Sequence, residues 1–285
     1  MYCPDCGLQN RDTARFCTGC GVTLKEVAVG AVLGGRYRVD ARLGQGGMGV
    51  VYRAWDVRLE CTCALKEMNA GGQTSDERAE SIARFKREAQ TLRGLLHPGL
   101  PRVYDFFEDG GRHFLAQDFI EGESFEVVLA RDGRPGLLEA EVWALALEAV
   151  DILAYLHAQS PPVIHRDVKP SNLMRRAGTG QVVLVDFGIA RSSHAAGTGT
   201  AIGTPEYCAP EQYAGKAVPA SDLYALGATL HHLLAGGVPT PFQFPTLSGV
   251  SPDLRAVLAK ATALNALDRS VSYTHLRAHE TREDL

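Results

Sequence analysis

The chain has 285 residues, 45% of them hydrophobic and 22% charged, which is ordinary globular usage and excludes wholesale disorder. A formal net charge of −4 and a pI near 6.1 argue against duplex nucleic acid or an anionic membrane as the main partner, since both select a basic surface. No run of about 18 apolar residues is present, and the polar, cysteine-containing start is unlike a signal peptide, so the expected compartment is the cytoplasm.

Four of the seven cysteines open the chain as two C-x-x-C-G turns, Cys3/Cys6 and Cys17/Cys20, with Gly7 and Gly21 behind them. Paired turns of this kind offer four thiolates to one tetrahedral Zn²⁺, and a segment of about 25 residues needs that metal to fold. The alternative, two redox C-x-x-C sites, lacks the surrounding βαβ pattern. Residues 1–25 resemble the short zinc ribbons at the front of many bacterial proteins. Arg11, Arg15 and Lys25 are balanced by Asp5, Asp12 and Glu26, so a structural or protein-contact role is expected rather than nucleic-acid binding. Residues 26–36 read as a linker.

An extended stretch beginning at Tyr37 leads into Leu43-Gly44-Gln45-Gly46-Gly47-Met48-Gly49. In a dinucleotide-binding unit such glycines open a helix. Here the β-branched and aromatic Val50-Val51-Tyr52 favour a second strand and hence a glycine hairpin, whose backbone N–H groups can lie close over phosphates. Lys66 follows in the strand-like Ala64-Leu65-Lys66. The pattern Ile82, Phe85, Ala89, Leu92, Leu95, Leu96 predicts a helix over 81–96 with Glu88 bordering its buried stripe. A second helix is predicted from Leu138 to His157. Beyond it stand Ile164-His165-Arg166-Asp167-Val168-Lys169-Pro170-Ser171-Asn172-Leu173, the apolar strand Val182 to Val185, and Asp186-Phe187-Gly188.

The glycine loop, the A-L-K lysine, H-R-D-x-K-x-x-N, D-F-G and Ala209-Pro210-Glu211 occur in the order found in eukaryotic-like protein kinases. The chain is similar to that family over about 240 residues, and Gly203-Thr204-Pro205-Glu206-Tyr207 places the wording closest to bacterial serine/threonine kinases of the Hanks type. The resemblance implies an α+β, bilobal protein-kinase fold behind the ribbon. Its kinase domain would span 37–270, with a β-rich N-lobe over about 37–118 holding one key helix and a mainly α-helical C-lobe over about 121–270.

By the same resemblance the chain transfers the γ-phosphate of ATP, with Mg²⁺ or Mn²⁺, to Ser/Thr hydroxyls of protein substrates. Lys66 would hold the α/β-phosphates and Glu88 would hold Lys66. Asn172 and Asp186 would bind the metal, Asp167 would take the substrate hydroxyl proton, and Lys169 would steady the γ-phosphate. Gly44, Gly46, Gly47 and Gly49 would cover the phosphates. Leu43, Val51, Ala64 and Leu173 would sandwich the adenine, with its edge on the backbone of Asp118, Phe119 and Ile120. Arg166 beside Asp167 implies activation by phosphate on the activation segment, with Thr198 and Thr200 the candidate acceptors. Thr204 should bond Asp167 and Lys169, Glu211 should pair with Arg269, and Asp222 should hold the catalytic-loop backbone. Gln117 and Ala266 depart from the family's usual apolar residue and proline. The alternative reading is a pseudokinase scaffold that binds nucleotide and partners without catalysis; the presence of Lys66, Asp167 and Asp186 speaks against it.

From Val271 the text reads like a translated sequencing adapter, so residues 271–285 are expected to be non-native and the C-lobe truncated. Bacterial relatives often carry a membrane helix beyond this point, which leaves anchoring of the full-length protein open. Removal of residues 1–25 is expected to leave phosphoryl transfer largely intact in a radiolabelled-ATP assay; collapse of activity would refute the separateness of the ribbon.

Overall fold

The computed structural model describes residues 2–269 apart from 4–5, 7, 12–13, 15–16, 20–23, 25, 47–48, 69–74, 134 and 188–203, and apart from the side chains of 75–81, 84 and 88. Two compact units emerge, one formed by 1–96 with 101–120 and the other by 97–100 with 121–285.

The first unit is built on a six-stranded sheet with β1 (Val32–Leu33), β2 (Tyr37–Gly46), β3 (Gly49–Asp56), β4 (Cys61–Met68), β5 (Val103–Asp109) and β6 (Arg112–Asp118) in the order β1-β2-β3-β4-β6-β5. All neighbouring pairs are antiparallel. The glycine stretch lies at the β2–β3 hairpin, closed by the pair Gly46↔Gly49, and a strand follows it as expected from Val50-Val51-Tyr52. Two register shifts in β2, at Val39/Ala41 and Arg42/Gly44, bend the strand just before the hairpin.

Directly paired residues share a sheet face, so the register sorts the side chains. One face carries Val51, Ala64, Lys66, Leu115, Gln117 and Phe106. Helix α1 (Ser75–Arg93) packs on this face, with the Phe85 ring edge-on to Phe106 at 5.4 Å between centroids. The other face holds the unit's apolar core: Val50, Tyr52, Ala54, Cys63, Leu65, Phe114 and Ala116.

Three expectations change here. Residues 26–36 are not a free linker. Val27 and Leu33 are buried in that core, Ala31 packs against it, and β1 pairs with β2. The apolar run Val27-Ala28-Val29-Gly30-Ala31-Val32-Leu33 supplies the driving force, since covering the outer sheet face removes it from water. Helix α1 ends at Arg93, before Gly94, so the apolar periodicity outlasts the helix; Leu95 is buried but Leu96 is exposed rather than part of the stripe. The helix also begins at Ser75, ahead of the expected Ser81.

The second unit holds β7 (Gly122–Ser124), β8 (Leu173–Arg176) and β9 (Val182–Leu184) in a small antiparallel sheet, with α2 (Phe125–Asp132), α3 (Glu139–His157), α4 (Pro210–Tyr213), α5 (Pro219–Ala235) and α6 (Pro252–Ala261). Helix α2 is capped by Ser124 and α6 by Ser251, whose side chains accept the Val127 and Leu254 N–H groups. Helix α5 is its centre. It starts on Pro219, ends at Gly236 with φ 71°, and is buried from Ser221 through Leu233 except at Leu223. At Gly227 a Cβ would stand 2.8 Å from the Ala261 side chain, so glycine permits the close α5–α6 approach. Among the described residues no helix is long and apolar enough to cross a membrane. Residues 270–285, and with them the adapter-like tail, lie outside the described residues.

One buried charge pair closes the end of the first unit's sheet. Asp56 is fully buried, and the Arg36 guanidinium forks onto it at 2.9 and 2.7 Å while the Arg58 and Leu59 N–H groups also donate. Burial alone would raise the carboxyl's pKa, but these donors hold it below the usual carboxylate range. Arg36→Ala, which leaves Asp56 buried without its cation, is expected to cost about 3 kcal/mol in denaturant unfolding; a loss below about 1 kcal/mol would show that the pair behaves as a surface contact.

Candidate functional site

In the second unit the chain from His165 to Asn172 is folded around a single carboxylate. Asp167 is buried, and its Oδ2 accepts from Asn172 Nδ2 at 3.0 Å and lies 3.0 Å from Lys169 Nζ. Thr204 Oγ1 donates to Asp167 Oδ1 at 3.0 Å and accepts from Lys169 Nζ at 2.8 Å, as expected of Thr204. Asn172 Nδ2 also donates to the Asp167 carbonyl at 2.8 Å, which fixes the amide and turns its Oδ1 away from the carboxylate. Asp186 follows β9 with a left-handed φ of 59°, and the next residue, Phe187, packs its ring on His165 at 4.8 Å. Leu173, the start of β8, is fully buried.

The loop's shape is imposed from α5. Asp222, buried in that helix's first turn, accepts the His165 N–H on Oδ2 at 2.8 Å and the Arg166 N–H on Oδ1 at 2.7 Å. The expected anchor is therefore present. Between them these bonds hold Arg166 at φ 68°, a conformation that costs a non-glycine residue about 1–2 kcal/mol. Hydrogen bonds to a charged group contribute about 1.5–3 kcal/mol each, so two of them exceed the strain. His157, at the end of α3, brings Nε2 to 2.9 Å from Asp222 Oδ2, and Gln212 caps the Arg166 carbonyl at 2.8 Å. Sequence reading missed both. Their signal is only a histidine ending one helix and a glutamine beside A-P-E, neither of which has periodicity to betray it.

Glu211 and Arg269 also meet as expected. All five guanidinium N–H groups are used: two on Glu211 at 2.7 and 2.9 Å, the others on the carbonyls of Ala220, Ala263 and Leu264. Burial works against the Glu211 carboxylate, yet donation from Arg269 and Ser221 holds its pKa below the usual range.

In the first unit Lys66 lies in β4, buried, opposite Val51 on one side and Leu115 on the other, with Ala64 two residues away on the same face. Leu43 sits on the irregular part of β2, half exposed. Gly44 and Gly46 are in β2 and Gly49 begins β3. Asp118 ends β6 with its Oδ2 accepting the Arg102 N–H at 3.0 Å, and Ile120 is buried. Glu88 is carried by α1, but its side chain lies outside the described residues, as do Gly47, Thr198 and Thr200.

At the N-terminus the sulfurs of Cys3, Cys6 and Cys17 lie within 4.8 Å of one another, and Cys6 and Cys17 are 3.5 Å apart. A tetrahedron with Zn–S near 2.3 Å has S···S edges of about 3.8 Å, so the three thiols fit such an ion. Cys17 Sγ accepts from Gly19 N at 3.3 Å and Asn10 Nδ2 at 3.5 Å, donors suited to a thiolate. Cys20 lies outside the described residues.

Comparison with known proteins agrees with this geometry. Residues 37–260 match the protein kinase domain. The chain belongs to the protein kinase family. Residues 2–21 match a zinc-ribbon domain. Serine/threonine-protein kinase B of Synechocystis is 37% identical over 257 residues, which is 85% of this chain and 42% of that protein. PknA of Mycobacterium tuberculosis is 38% identical over 221 residues, or 74% and 49% of the two chains. The chain therefore spans less than half the length of these relatives. Among solved structures, the M. tuberculosis PknI kinase domain superposes with a TM-score of 0.73 at 31% identity, covering 91% of this chain and 100% of that one. The PpkA-294 apo form gives 0.75 at 26% identity, covering 89% and 98%.

Burial lowers the pKa of three imidazoles in this chain, His113, His165 and His232, the last with a further push from His231. As pH falls through about 6.5 the unfolded chain takes up protons that the folded chain resists, so the stability from these groups is complete above that range and is lost below it. Urea midpoints are expected to drop between pH 7 and pH 5; a flat or rising series would contradict the buried neutral imidazoles.

Proposed function

We propose that this chain is an ATP-dependent serine/threonine protein kinase, and that the single observation carrying this reading is the Asp167–Lys169–Thr204–Asn172 constellation within a protein kinase domain. The named activity of relatives at 37% and 38% identity supports the serine/threonine class.

In this reading the substrate hydroxyl is presented to Asp167, which accepts its proton as the hydroxyl oxygen bonds the γ-phosphorus and ADP departs. Lys169, already beside Asp167, adds positive charge where the transferred group passes. Asn172 Oδ1 and the Asp186 carboxylate are hard oxygen donors suited to Mg²⁺ or Mn²⁺. Such an ion, when bound, neutralises phosphate charge. Lys66, with Glu88 as its partner, takes the α/β-phosphates. Val51, Ala64, Leu43 and Leu173 contact the adenine, and the backbone of Asp118 and Ile120 bonds its edge. The glycines Gly44, Gly46, Gly47 and Gly49 leave room for phosphate beneath the hairpin. Activation proceeds through phosphate on Thr198 or Thr200, whose negative charge would pair with Arg166. Cys3, Cys6, Cys17 and Cys20 hold a structural Zn²⁺. Protein substrates follow from the family, and the acidic net charge speaks against nucleic acid as a partner.

Asp167→Asn keeps the shape and removes the proton acceptor. Incorporation of labelled phosphate from Mg-ATP into protein is expected to fall by about 10²–10⁴. Equal incorporation by the variant and the wild type would overturn the assignment and favour a scaffold.

A further inference from the structure

The N-terminal segment with its cysteine turns has almost no apolar interior. Among the described residues of 2–26 only Cys3, Asn10 and Cys17 are buried, so an amide shares the centre of the ribbon with two sulfurs. Asn10 follows the first cysteine turn, which is closed by the Cys3 N–H donating to the Leu8 carbonyl at 2.9 Å. Its Nδ2 donates to that same carbonyl at 2.9 Å and to Cys17 Sγ, in the second turn, at 3.5 Å. Its Oδ1 accepts the Thr18 N–H at 2.9 Å and the Thr18 hydroxyl at 3.2 Å. The two turns meet closely here, since a Cβ at Gly19 would stand 2.8 Å from the Leu8 side chain.

The amide thus uses both of its protons and both of its lone pairs. Its orientation is fixed by what surrounds it. The Thr18 N–H can only donate, so the amide oxygen must face Thr18, and the NH2 group is left for the sulfur and the carbonyl. A metal-bound thiolate carries negative charge, and an N–H directed at it stabilises that charge and fixes the direction of the sulfur. The Gly19 N–H does this from within the second turn, at 3.3 Å. Asn10 does it from the first, joining the turn that carries Cys3 and Cys6 to the turn that carries Cys17. An oxygen in place of the NH2 group would oppose both the sulfur and the Leu8 carbonyl, since all three are acceptors.

We propose that Asn10 is a positioning residue for the ribbon's metal, its amide clasping the two cysteine turns together and hydrogen-bonding the Cys17 thiolate when zinc is held. This rests on the zinc reading above. The test uses the full chain. Zn²⁺ affinity is read by competition against a chromophoric chelator, and the chain saturated with Co²⁺ is read by its thiolate-to-cobalt charge-transfer band. Asn10→Asp keeps size and shape but replaces the donor by an acceptor, and Asn10→Ala removes both. Each is expected to raise the Zn²⁺ Kd by about 10–100-fold, Asp more than Ala. Loss of the N–H raises the energy of the sulfur lone pairs, so the charge-transfer band should move to longer wavelength in both. Thr18→Val, which removes a donor to Oδ1 but leaves the contact with sulfur, should keep the band at its wild-type position. An unmoved band in both Asn10 variants, or an unchanged Zn²⁺ Kd in both, would reduce the residue to packing and overturn the clasp while leaving the zinc reading in place. A wild-type chain that takes up neither Zn²⁺ nor Co²⁺ would overturn both.

Discussion

The organisation of the second unit depends on one carboxylate at the start of its central helix. Asp222 sits where the first turn of α5 leaves N–H groups and the positive end of the helix dipole, an environment that favours a negative charge. It spends that charge on the backbone of His165 and Arg166, with His157 as a third partner. The left-handed turn at Arg166 is the direct result, and it delivers Asp167 to Lys169, Asn172 and Thr204. A group buried in a helix thereby decides the geometry of a loop 56 residues earlier in the chain.

The same pairing recurs at other buried charges among the described residues. Asp56 is met by Arg36 and two backbone N–H groups, and Arg269 finds an acceptor for each of its five N–H groups. Glu67, fully buried, takes the Tyr52 hydroxyl at 3.2 Å and lies 2.9 Å from Arg112 Nε. Each ion is partnered because desolvation would otherwise exceed what packing returns. The pairs also join segments distant in sequence, so they fix which elements meet as well as holding them together.

Much of this was legible in the residues. The β-branched Val50-Val51-Tyr52 distinguished a hairpin from a helix-opening glycine loop, and the ordered motifs from Gly44 to Glu211 identified the family together with the contacts of Thr204, Asp222 and Arg269. What escaped has physical causes. The apolar run at 27–33 has no clear period, so it read as a connection although it covers a sheet face. Leu96 continued a helical pattern past Gly94, where the helix had already ended. The bonds of His157, Gln212 and His232 join residues 65, 46 and 25 positions apart, and a single sequence carries no signal for such pairs.

The covering segment has one more implication. Val27 is embedded in the core of the sheet that bears Lys66, only ten positions along the chain from Cys17. Fully stretched, that length reaches about 35 Å. The cysteine turns are thus kept within that distance of the sheet that bears Lys66.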